Sequence, residues 1–567
     1  MRSHLPRLTM IAAALVSTTA LAGQVAVQIK GPDGKAASGV RVSVPELMRS
    51  SAPSDKDGIV ILKNIPAGDV DITAAPSGFR PIQQRVTVAQ NGTATLNFQL
   101  EPSDALKRAA LANSEPATEH LAQKQAYLNS IKAVKGKKPN IVVILFDDLG
   151  YGDLSSYGNR LIKTPRIDAA ASQGIKLEQF YSASPVCTPS RAALLSGRYP
   201  NRAHAANHVY FPTGHPMATI RRSMGWANAL PKDEILLPEI LSRAGYATGA
   251  FGKWHLGDQA GHRPNDFGFQ DYFGILYSND MKPETLWRND KVDTPADQTD
   301  QATLTERITD EAIAFLRKNA EKPFFAYVPY TAPHLPHHPN PKHKGVSEGG
   351  TYGDVIEDLD TNVGRLLQTL RDLKVDDNTI IVITSDNGGD WGGSAGNLRG
   401  RKGETFEGGQ RVPAFIIWPG VTKPGTVSQE MGMNFDFYAT ILKELNIPLP
   451  SDRIIDGADI RPLLAGGKTP HDFLYYTTVW TGSFAGVRDG HYKFRDIVAD
   501  PSPLGAGGEA YNAIPSLYSL DKDNESHDVS AKHPEELERL KKQLDAFRKA
   551  YQHNPRGWID PPSVVSR

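Results

Sequence analysis

The sequence is poor in thiols, in net charge and in long apolar runs. It has a single cysteine, Cys187, among 567 residues, which excludes an intramolecular disulfide framework and any multi-thiolate zinc or iron–sulfur site. Its 63 Lys and Arg residues balance 63 Asp and Glu residues, so no overall field attracts nucleic acid or an anionic membrane. Beyond the N-terminal segment no stretch approaches ~20 uninterrupted apolar residues, so we expect no membrane span. With 40% hydrophobic and 22% charged residues, the composition is that of a folded globular protein.

Residues 1–22 are predicted to be a cleaved signal peptide rather than an element of the fold. The segment begins with Arg2 and Arg7, continues as a short apolar run, and ends in Ala20-Leu21-Ala22. A basic start, an apolar stretch and a small-residue ending, in that order, are typical of a secretory signal. The sequence therefore predicts a periplasmic or secreted protein.

Four further regions differ in their residue patterns. Period-two alternation of apolar residues predicts a small Ig-like or regulatory-like β-sandwich over residues 23–101, and we expect it to contribute no catalytic group. Residues 102–138 are rich in helix formers and predict a partly helical linker. Residues 139–460 alternate continuous apolar strands with helical segments, which predicts an α/β domain around a parallel sheet covered on both faces. Hairpin-like runs and a late amphipathic helix predict a C-terminal α+β subdomain over residues 461–567.

Two of the continuous apolar strands end in hard ligands. One run stops at Asp147 and Asp148, and a second stops, after Ser385, at Asp386 and Asn387. Ligands of open α/β sheets bind outside the carboxyl ends of strands. If the two strands are neighbours, these side chains form a cluster of oxygen ligands suited to Ca²⁺ or Mg²⁺. Because packed carboxylates repel one another, we expect a divalent cation to supply the missing charge.

The single thiol lies in a longer motif, and from Cys187 to Arg198 the chain reads CTPSRAALLSGR. This motif resembles the signature of the type I sulfatases, formylglycine-dependent enzymes with an alkaline-phosphatase-like fold. In that family the cysteine is oxidised before export to Cα-formylglycine, and the hydrate of the aldehyde is the nucleophile. Without the resemblance, a lone cysteine would be interpreted as a small buried hydrophobe or as a thiol nucleophile.

Three further motifs follow in the order of that family: GKWHLG at residues 252–257, APHLP at 332–336 and LRGRKGETFEGG at 398–409. The resemblance implies a set of catalytic residues, namely Cys187, Arg191, Lys253, His255, His334 and Lys402. It also implies one Ca²⁺ per chain, with the ligands Asp147, Asp148, Cys187, Asp386 and Asn387. Apart from Cys187, these are the ligands that the strand endings predict independently.

The resemblance implies a role for each catalytic side chain. Ca²⁺ together with Lys253, Lys402 and Arg191 would neutralise the sulfate oxygens. One hydroxyl of the formylglycine gem-diol would attack sulfur, and the second would expel sulfate and regenerate the aldehyde. His255 is the expected base beside the nucleophile. His334, assisted by Lys402, is the expected general acid for the leaving alkoxide.

The expected substrate is a sulfated carbohydrate, because an exported enzyme meets polymers and an appended β-module suits a large substrate. The implied protein partner is the maturation enzyme that generates formylglycine. Side chains that offer anion contacts, stacking faces or hydroxyl partners to a sugar are Arg221, Arg222, Trp226, Asn279, Asp280, Trp287 and Trp391.

Two alternative functions remain open at this point. A phosphomonoester or phosphonate hydrolase of the same superfold would use similar groups, since a fold does not fix the oxyanion that is attacked. A non-catalytic, calcium-stabilised glycan-binding protein would bind a sulfated sugar without releasing sulfate. Relative rates on matched sulfate and phosphate esters separate the first alternative, and sulfate release separates the second.

Overall fold

The structure is a computed structural model of the chain. It describes residues 22–44, 47, 49–74, 76, 82–101, 118–496, 515–521 and 524–559. The chain divides into two compact units, Met1–Ser103 and Asp104–Arg567. The predicted signal peptide lies outside the described residues except for Ala22, and so does the predicted linker up to residue 117.

The first unit is built from short strands. Within its described residues these are β1 (Ala22–Lys30), β2 (Ser43–Val44), β3 (Arg49–Ser50), β4 (Ile59–Pro66), β5 (Gly68–Ala74), β6 (Ile82–Val88) and β7 (Thr93–Gln99). One sheet has the order β4-β1-β7 and the other has the order β3-β2-β5-β6. Val25, Val27 and Ile29 alternate along β1 and are fully buried in a core to which both sheets contribute. The predicted β-sandwich is therefore confirmed.

Period-two alternation is weak in β4 and β6, for different reasons. β4 carries apolar residues on both faces, since Ile59 and Ile61 are exposed while Val60 and Leu62 are buried. Its period-two signal is therefore hidden in a continuous apolar run. β6 is largely exposed and polar, so it lacks an apolar face from which alternation could be recognised.

The second unit contains the remaining strands. These are β8 (Asn140–Phe146), β9 (Ile175–Leu177), β10 (Phe180–Tyr181), β11 (Ala247–Lys253), β12 (Asp271–Ile275), β13 (Leu286–Arg288), β14 (Lys291–Thr294), β15 (Phe324–Pro329), β16 (Thr379–Ser385), β17 (Ala414–Ile417), β18 (Thr426–Ser428), β19 (Gly432–Met433), β20 (Leu474–Thr477), β21 (Phe484–Arg488), β22 (Tyr492–Arg495) and β23 (Ser516–Ser519).

The described helices all belong to the second unit. They are α1 (Thr118–Ser130), α2 (Pro165–Ala171), α3 (Cys187–Ser196), α4 (Pro216–Ser223), α5 (Leu237–Arg243), α6 (Leu304–Asn319), α7 (Gly350–Asp372), α8 (Glu407–Gln410), α9 (Asp436–Glu444), α10 (Arg461–Leu464) and α11 (Pro534–His553). Short 3₁₀ turns lie at Ser155–Tyr157, Pro264–Phe267, Ala296–Gln298, Gln301–Thr303 and Asp376–Asn378. Over the part of the chain that is described, none of the helices is long and apolar enough to cross a membrane.

The central sheet of the second unit has ten strands in the order β14-β13-β12-β11-β15-β8-β16-β17-β9-β18. Its middle strands, from β12 to β16, are parallel, as predicted. The prediction did not include the antiparallel strands that extend the sheet at both sides, β13 and β14 beyond β12, and β17 beyond β16. Apolar clusters cover both faces, one including α5 and α9 and the other α2, α6 and α7.

A smaller lobe completes the second unit, as the hairpin-like pattern predicts. Strands β20 to β23 form an antiparallel sheet in sequence order. Leu540, Leu544 and Tyr551 of α11 are buried in its core, which also includes Tyr181 and Tyr199 from the α/β part. The lobe is thus packed onto the main sheet domain. The loop between β20 and β21 also belongs to this lobe.

Candidate active site

The two acidic strand endings lie side by side at the carboxyl ends of two central strands of the main sheet. β8 and β16 are adjacent and parallel, and their pairing runs to Phe146 opposite Ser385. The next residues, Asp147 and Asp386, are both completely buried. The backbone N–H of Asp148 donates to Oδ1 of Asp386 at 3.2 Å. The structure thus brings together the side chains that were predicted to cluster if the two strands are neighbours. They are Asp147, Asp148, Asp386 and Asn387.

The backbone around the strand ends is shaped to let these side chains converge. Asp148 has a positive φ of 65°, a conformation that Asp and Asn tolerate better than most residues. Gly388 lies so close to Gly408 that a Cβ atom at position 388 would fall 1.9 Å from the Gly408 carbonyl oxygen. A larger residue would push the start of the loop after β16 away from α8. The same loop carries Lys402, and its N–H donates to the Gly389 carbonyl at 2.9 Å, which holds the two parts of the loop together.

Each carboxylate of the cluster has a cationic partner. Lys253 Nζ lies 2.6 Å from Asp147 Oδ2, and Lys402 Nζ lies 2.6 Å from Asp148 Oδ2. Arg191 Nε donates to Asp386 Oδ2 at 2.9 Å, and Arg191 Nη2 lies 2.8 Å from the same oxygen. The three cations therefore oppose the three carboxylates, so the protein itself supplies part of the positive charge that the strand endings require.

The cationic partners control the ionisation of the cluster. Burial raises the pKa of Asp147, but Lys253 and Arg191 lower it more, so it lies well below its usual range. Burial raises the pKa of Asp386 to about 7, against the opposing effect of Arg191. For Lys402, burial lowers the pKa, yet Asp148 raises it well above its usual range. The site therefore keeps fixed positive charges beside the thiol.

Cys187 begins helix α3, directly after the extended residue Val186. The thiol is 1% exposed, and burial raises its pKa well above the usual range. The helix ends at Gly197, whose φ of 73° is left-handed and whose α-carbon packs against the ring of Tyr438. The N-terminus of α3 therefore presents residue 187 to the cluster from a fixed position.

The cluster contains groups that suit a metal ion. One ligand atom from each of Asp147, Asp148, Cys187 and His334 lies within 4.8 Å of the others. Asp147 Oδ1 and Asn387 Oδ1 are buried without a hydrogen-bond partner. A cation satisfies such oxygens when no N–H or O–H group does. The compact group includes His334, which the predicted ligand set omits, and it does not include Asp386, whose carboxylate is engaged by Arg191.

His255 follows β11 and is held in one orientation. It has a φ of 61° and its ring is 1% exposed. Its Nε2 lies 3.0 Å from the carbonyl oxygen of Tyr210, and since a carbonyl only accepts, Nε2 carries the proton. Nδ1 is buried and has no hydrogen-bond partner. Burial, and then Lys253 and Arg191, lower the pKa of His255 well below its usual range. The ring is therefore neutral with a free lone pair on Nδ1.

His334 reaches the cluster from the loop after β15. Its Nδ1 donates to the Leu335 carbonyl at 2.5 Å, and its Nε2 lies 3.5 Å from Asp148 Oδ2. Burial, followed by Lys402, lowers the pKa of His334. Nε2 can therefore serve as a metal ligand in the neutral ring or as a proton donor in the charged ring.

The residues proposed as sugar contacts fall into two groups. Arg221 and Trp226 are buried, and the Arg221 guanidinium donates to the Ala227 carbonyl while it lies 5.7 Å from the Trp226 ring centroid. These two side chains therefore offer no exposed surface to a sugar. Asn279 is also buried and donates to Gln301. Trp391 is 78% exposed, with the guanidinium of Arg401 at 3.7 Å from its ring centroid. Exposed or half-buried surface is offered by Arg222, Asp280, Trp287 and Trp391.

Sequence reasoning missed three contacts that hold the site. Ser278 Oγ accepts from Lys253 Nζ at 3.0 Å. Thr188 Oγ1 donates to the His255 carbonyl at 2.9 Å and accepts from the N–H of Tyr210 at 3.1 Å. Thr188 follows Cys187 directly, and Ser278 lies shortly after the end of β12. Their positions in the sequence could therefore have identified both as site residues. Tyr210 contributes only its backbone N–H and carbonyl to these contacts, and a sequence carries no signal for such groups.

A parallel sheet that ends in buried carboxylates, with a helix N-terminus and three cations facing them, is the site of a hydrolase acting on an anionic ester. The sulfatase family profile matches residues 139–447, and that of the carboxypeptidase regulatory-like domain matches residues 24–101. The chain belongs to the sulfatase family. Its fold is the alkaline-phosphatase-like fold expected from the motifs.

Individual relatives agree with this assignment. The N-acetylgalactosamine-6-sulfatase of Homo sapiens is 37% identical over 361 residues, which cover 60% of this chain and 68% of the human protein. A protein designated 6S-sulf, from work on glycosaminoglycan metabolism by Bacteroides thetaiotaomicron, superposes with a TM-score of 0.66 and 27% identity over 73% of this chain and 100% of its own. A sulfatase from Pseudoalteromonas sp. superposes with a TM-score of 0.65 and 26% identity over 78% and 96%.

Proposed function

We propose that this sulfuric ester hydrolase removes sulfate from a carbohydrate, using a formylglycine made from Cys187. The observation that carries the proposal is the arrangement around residue 187. Three buried or nearly buried cations, Arg191, Lys253 and Lys402, converge there with a neutral histidine whose lone pair is free. This set provides positive charge for a sulfate group and a base for a hydroxyl nucleophile, which a structural cysteine would not need.

Conversion of the Cys187 side chain to an aldehyde would break its Cβ–S bond, release the sulfur as sulfide and make Cβ the carbonyl carbon. This is a two-electron oxidation whose oxidant the maturation enzyme would supply. Hydration then gives two hydroxyls on one carbon. One hydroxyl attacks sulfur and the S–O bond to the sugar breaks, which transfers the sulfate to residue 187. Deprotonation of the second hydroxyl re-forms the carbonyl and expels sulfate, so no water molecule has to attack sulfur.

The free lone pair of His255 Nδ1 suits the base in this scheme. The Tyr210 carbonyl holds the proton on Nε2, so Nδ1 is the nitrogen able to accept a proton from a hydroxyl of residue 187. The candidate acid is His334, with Lys402 assisting, because both face Asp148 at the edge of the cluster. A protonated Nε2 of His334 would donate to the leaving alkoxide.

The residues that would hold Ca²⁺ are Asp147, Asp148, Asp386, Asn387 and the modified residue 187. The unpartnered oxygens of Asp147 and Asn387 support a cation at this position, and the position of His334 makes it a further candidate ligand. When bound, the ion supplies charge that neutralises sulfate oxygens. Arg191 would have a different role, because its guanidinium group holds the Asp386 carboxylate in place.

The carbohydrate assignment draws on the named relatives and on the surface beside the site. The human relative is named for an N-acetylgalactosamine 6-sulfate, and the protein from Bacteroides thetaiotaomicron was studied in glycosaminoglycan metabolism. Trp391 offers an exposed ring near the loop that carries Lys402. We further propose that the signal peptide directs the protein to the periplasm or outside the cell, and that the N-terminal domain at residues 23–101 supplies no catalytic group.

The test is sulfate release from a panel of defined saccharides: 6-O- and 4-O-sulfated N-acetylgalactosamine, 6-O-sulfated N-acetylglucosamine, 6-O-sulfated galactose and sulfated neocarrabiose. The control is Cys187→Ala, which cannot be matured. We expect free sulfate from at least one sugar with the matured protein and none with the variant. Faster hydrolysis of every matched phosphate ester would favour the phosphatase alternative, and binding without sulfate release would favour the glycan-binding alternative.

A further inference from the structure

A four-residue segment, Asn207–Tyr210, joins the catalytic base to the C-terminal lobe. At one end, Tyr210 accepts from His255 Nε2 and donates its N–H to Thr188. At the other end, Asn207 Nδ2 donates to the Trp480 carbonyl at 3.1 Å, and the N–H of His208 donates to the Val479 carbonyl at 2.6 Å. The segment therefore lies between the nucleophile helix and the loop that connects β20 to β21.

The side chain of His208 is set firmly against that loop. Its ring stacks on Trp480 with centroids 3.9 Å apart and planes 11° from parallel. Its φ is 57°, a left-handed conformation that costs energy for a residue other than glycine. Trp480 and Val209 belong to the same apolar cluster as Cys187. The His208–Trp480 stack is thus part of the wall around residue 187.

The protonation state of His208 follows from its surroundings. Burial, followed by Arg221 and Lys402, lowers the pKa of His208 to about 3, so the ring is neutral near neutral pH. Nδ1 is buried and lacks a hydrogen-bond partner. Burying an N–H group without an acceptor is costly, so the proton belongs on Nε2.

We infer that His208 is a substrate-contacting residue that selects the sugar of the leaving group. Its Nε2–H donates to an oxygen of the sugar that carries the sulfate ester, and the flat His208–Trp480 stack limits how that sugar ring lies. The inference rests on the proposed function, since it assumes a carbohydrate leaving group. It adds a specificity-determining side chain that none of the catalytic motifs contains.

The test compares three variants of the matured, full-length protein on two kinds of probe. His208→Phe keeps a stacking ring but has no donor, and His208→Ala removes both. His215→Ala is the matched control, because His215 continues the same aromatic series through Phe211 at 5.1 Å and its side chain accepts from the backbone N–H of Met217. The probes are 4-nitrophenyl sulfate, which has no sugar, and the panel saccharide that the unaltered enzyme cleaves fastest.

Loss of one neutral hydrogen bond predicts a fall in kcat/KM of roughly 2- to 12-fold for His208→Phe on the saccharide, and a larger fall for His208→Ala. On 4-nitrophenyl sulfate both variants should stay within about twofold of the unaltered enzyme, as should His215→Ala on both probes. Equal losses of His208→Phe on both probes, or no loss on the saccharide, would overturn the inference and leave the sulfatase assignment intact. An unaltered enzyme that cleaves 4-nitrophenyl sulfate but no panel saccharide would overturn the carbohydrate proposal and this inference with it.

Discussion

Replacement of Arg191 by methionine should destabilise the second unit by an amount that the structure allows us to work out. Arg191 and Asp386 are both completely buried, and the guanidinium also donates to the Lys253 carbonyl at 2.8 Å and lies 3.4 Å from Asp147. Removing one partner of a buried, hydrogen-bonded ion pair costs about 3–5 kcal/mol. Methionine fills most of the volume, so the loss reflects the unpaired carboxylate rather than a cavity.

The expected change can be read as a melting temperature. A unit of about 460 residues has an unfolding entropy of about 1 kcal/mol per kelvin. The predicted fall in Tm is therefore about 3–5 °C for the chelated protein, in which bound metal does not add to stability. Arg191→Lys should fall between the two proteins, because lysine keeps the charge but cannot form the fork.

The control is Arg222→Met, which alters an exposed arginine of α4 and should leave Tm within about 1 °C. Differential scanning calorimetry of the four proteins measures these values. A fall smaller than about 1 °C for Arg191→Met would refute the reasoning, since it would show that Asp386 does not depend on the guanidinium.

Three other predictions concern the proposed general acid, the metal ligands and the ion pair between His471 and Asp436. His334→Gln should lower kcat/KM on a sugar sulfate by roughly 10²- to 10⁴-fold and affect 4-nitrophenyl sulfate far less, because an activated phenolate needs no proton donor; equal losses on both, with weaker metal binding, would instead make His334 a ligand. Asn387→Ala removes a buried oxygen that lacks a partner, and calorimetric titration of the chelated protein should show at least about tenfold weaker Ca²⁺ binding; unchanged affinity would exclude Asn387 from the site. Burial lowers the pKa of His471 but Asp436, 2.8 Å away, raises it more, so the net pKa is above the usual value. This pair therefore stabilises the fold fully below about pH 6.5 and loses that contribution as pH rises through the elevated pKa. His471→Gln should accordingly lower Tm more at about pH 6 than at about pH 9, and a loss independent of pH would contradict the assignment.

The sequence predicted the convergence of the acidic side chains because strand ends carry positional information. A buried parallel strand is a continuous apolar run, so the residue at which the run stops is visible. Asp147 and Asp386 each occupy that position, and β8 and β16 are neighbours in register. Strand endings carry no information on charge balance, since Arg191, Lys253 and Lys402 are far apart in the chain and their pairing with the carboxylates is a tertiary contact.

Other features of the site leave no trace in a residue pattern. The carbonyl of Tyr210 orients His255, yet a backbone carbonyl is present at every position of any chain. Arg221 and Trp226 have the residue types of a sugar site, but the fold buries both against each other. Of the antiparallel strands, β13 and β14 are short and partly polar and β17 is only four residues long, so they lack the long apolar runs by which the central strands were recognised.

If formylglycine at residue 187 is the nucleophile, the formylglycine content of a preparation should determine its rate of sulfate release. Preparations made with different levels of the maturation enzyme would be analysed by peptide mass spectrometry of the segment that contains residue 187, and their rates of sulfate release measured on one saccharide. We expect the rate to rise in proportion to the fraction of chains that carry the aldehyde and to extrapolate to zero when every chain keeps its thiol. A preparation with unmodified Cys187 and full activity would contradict it.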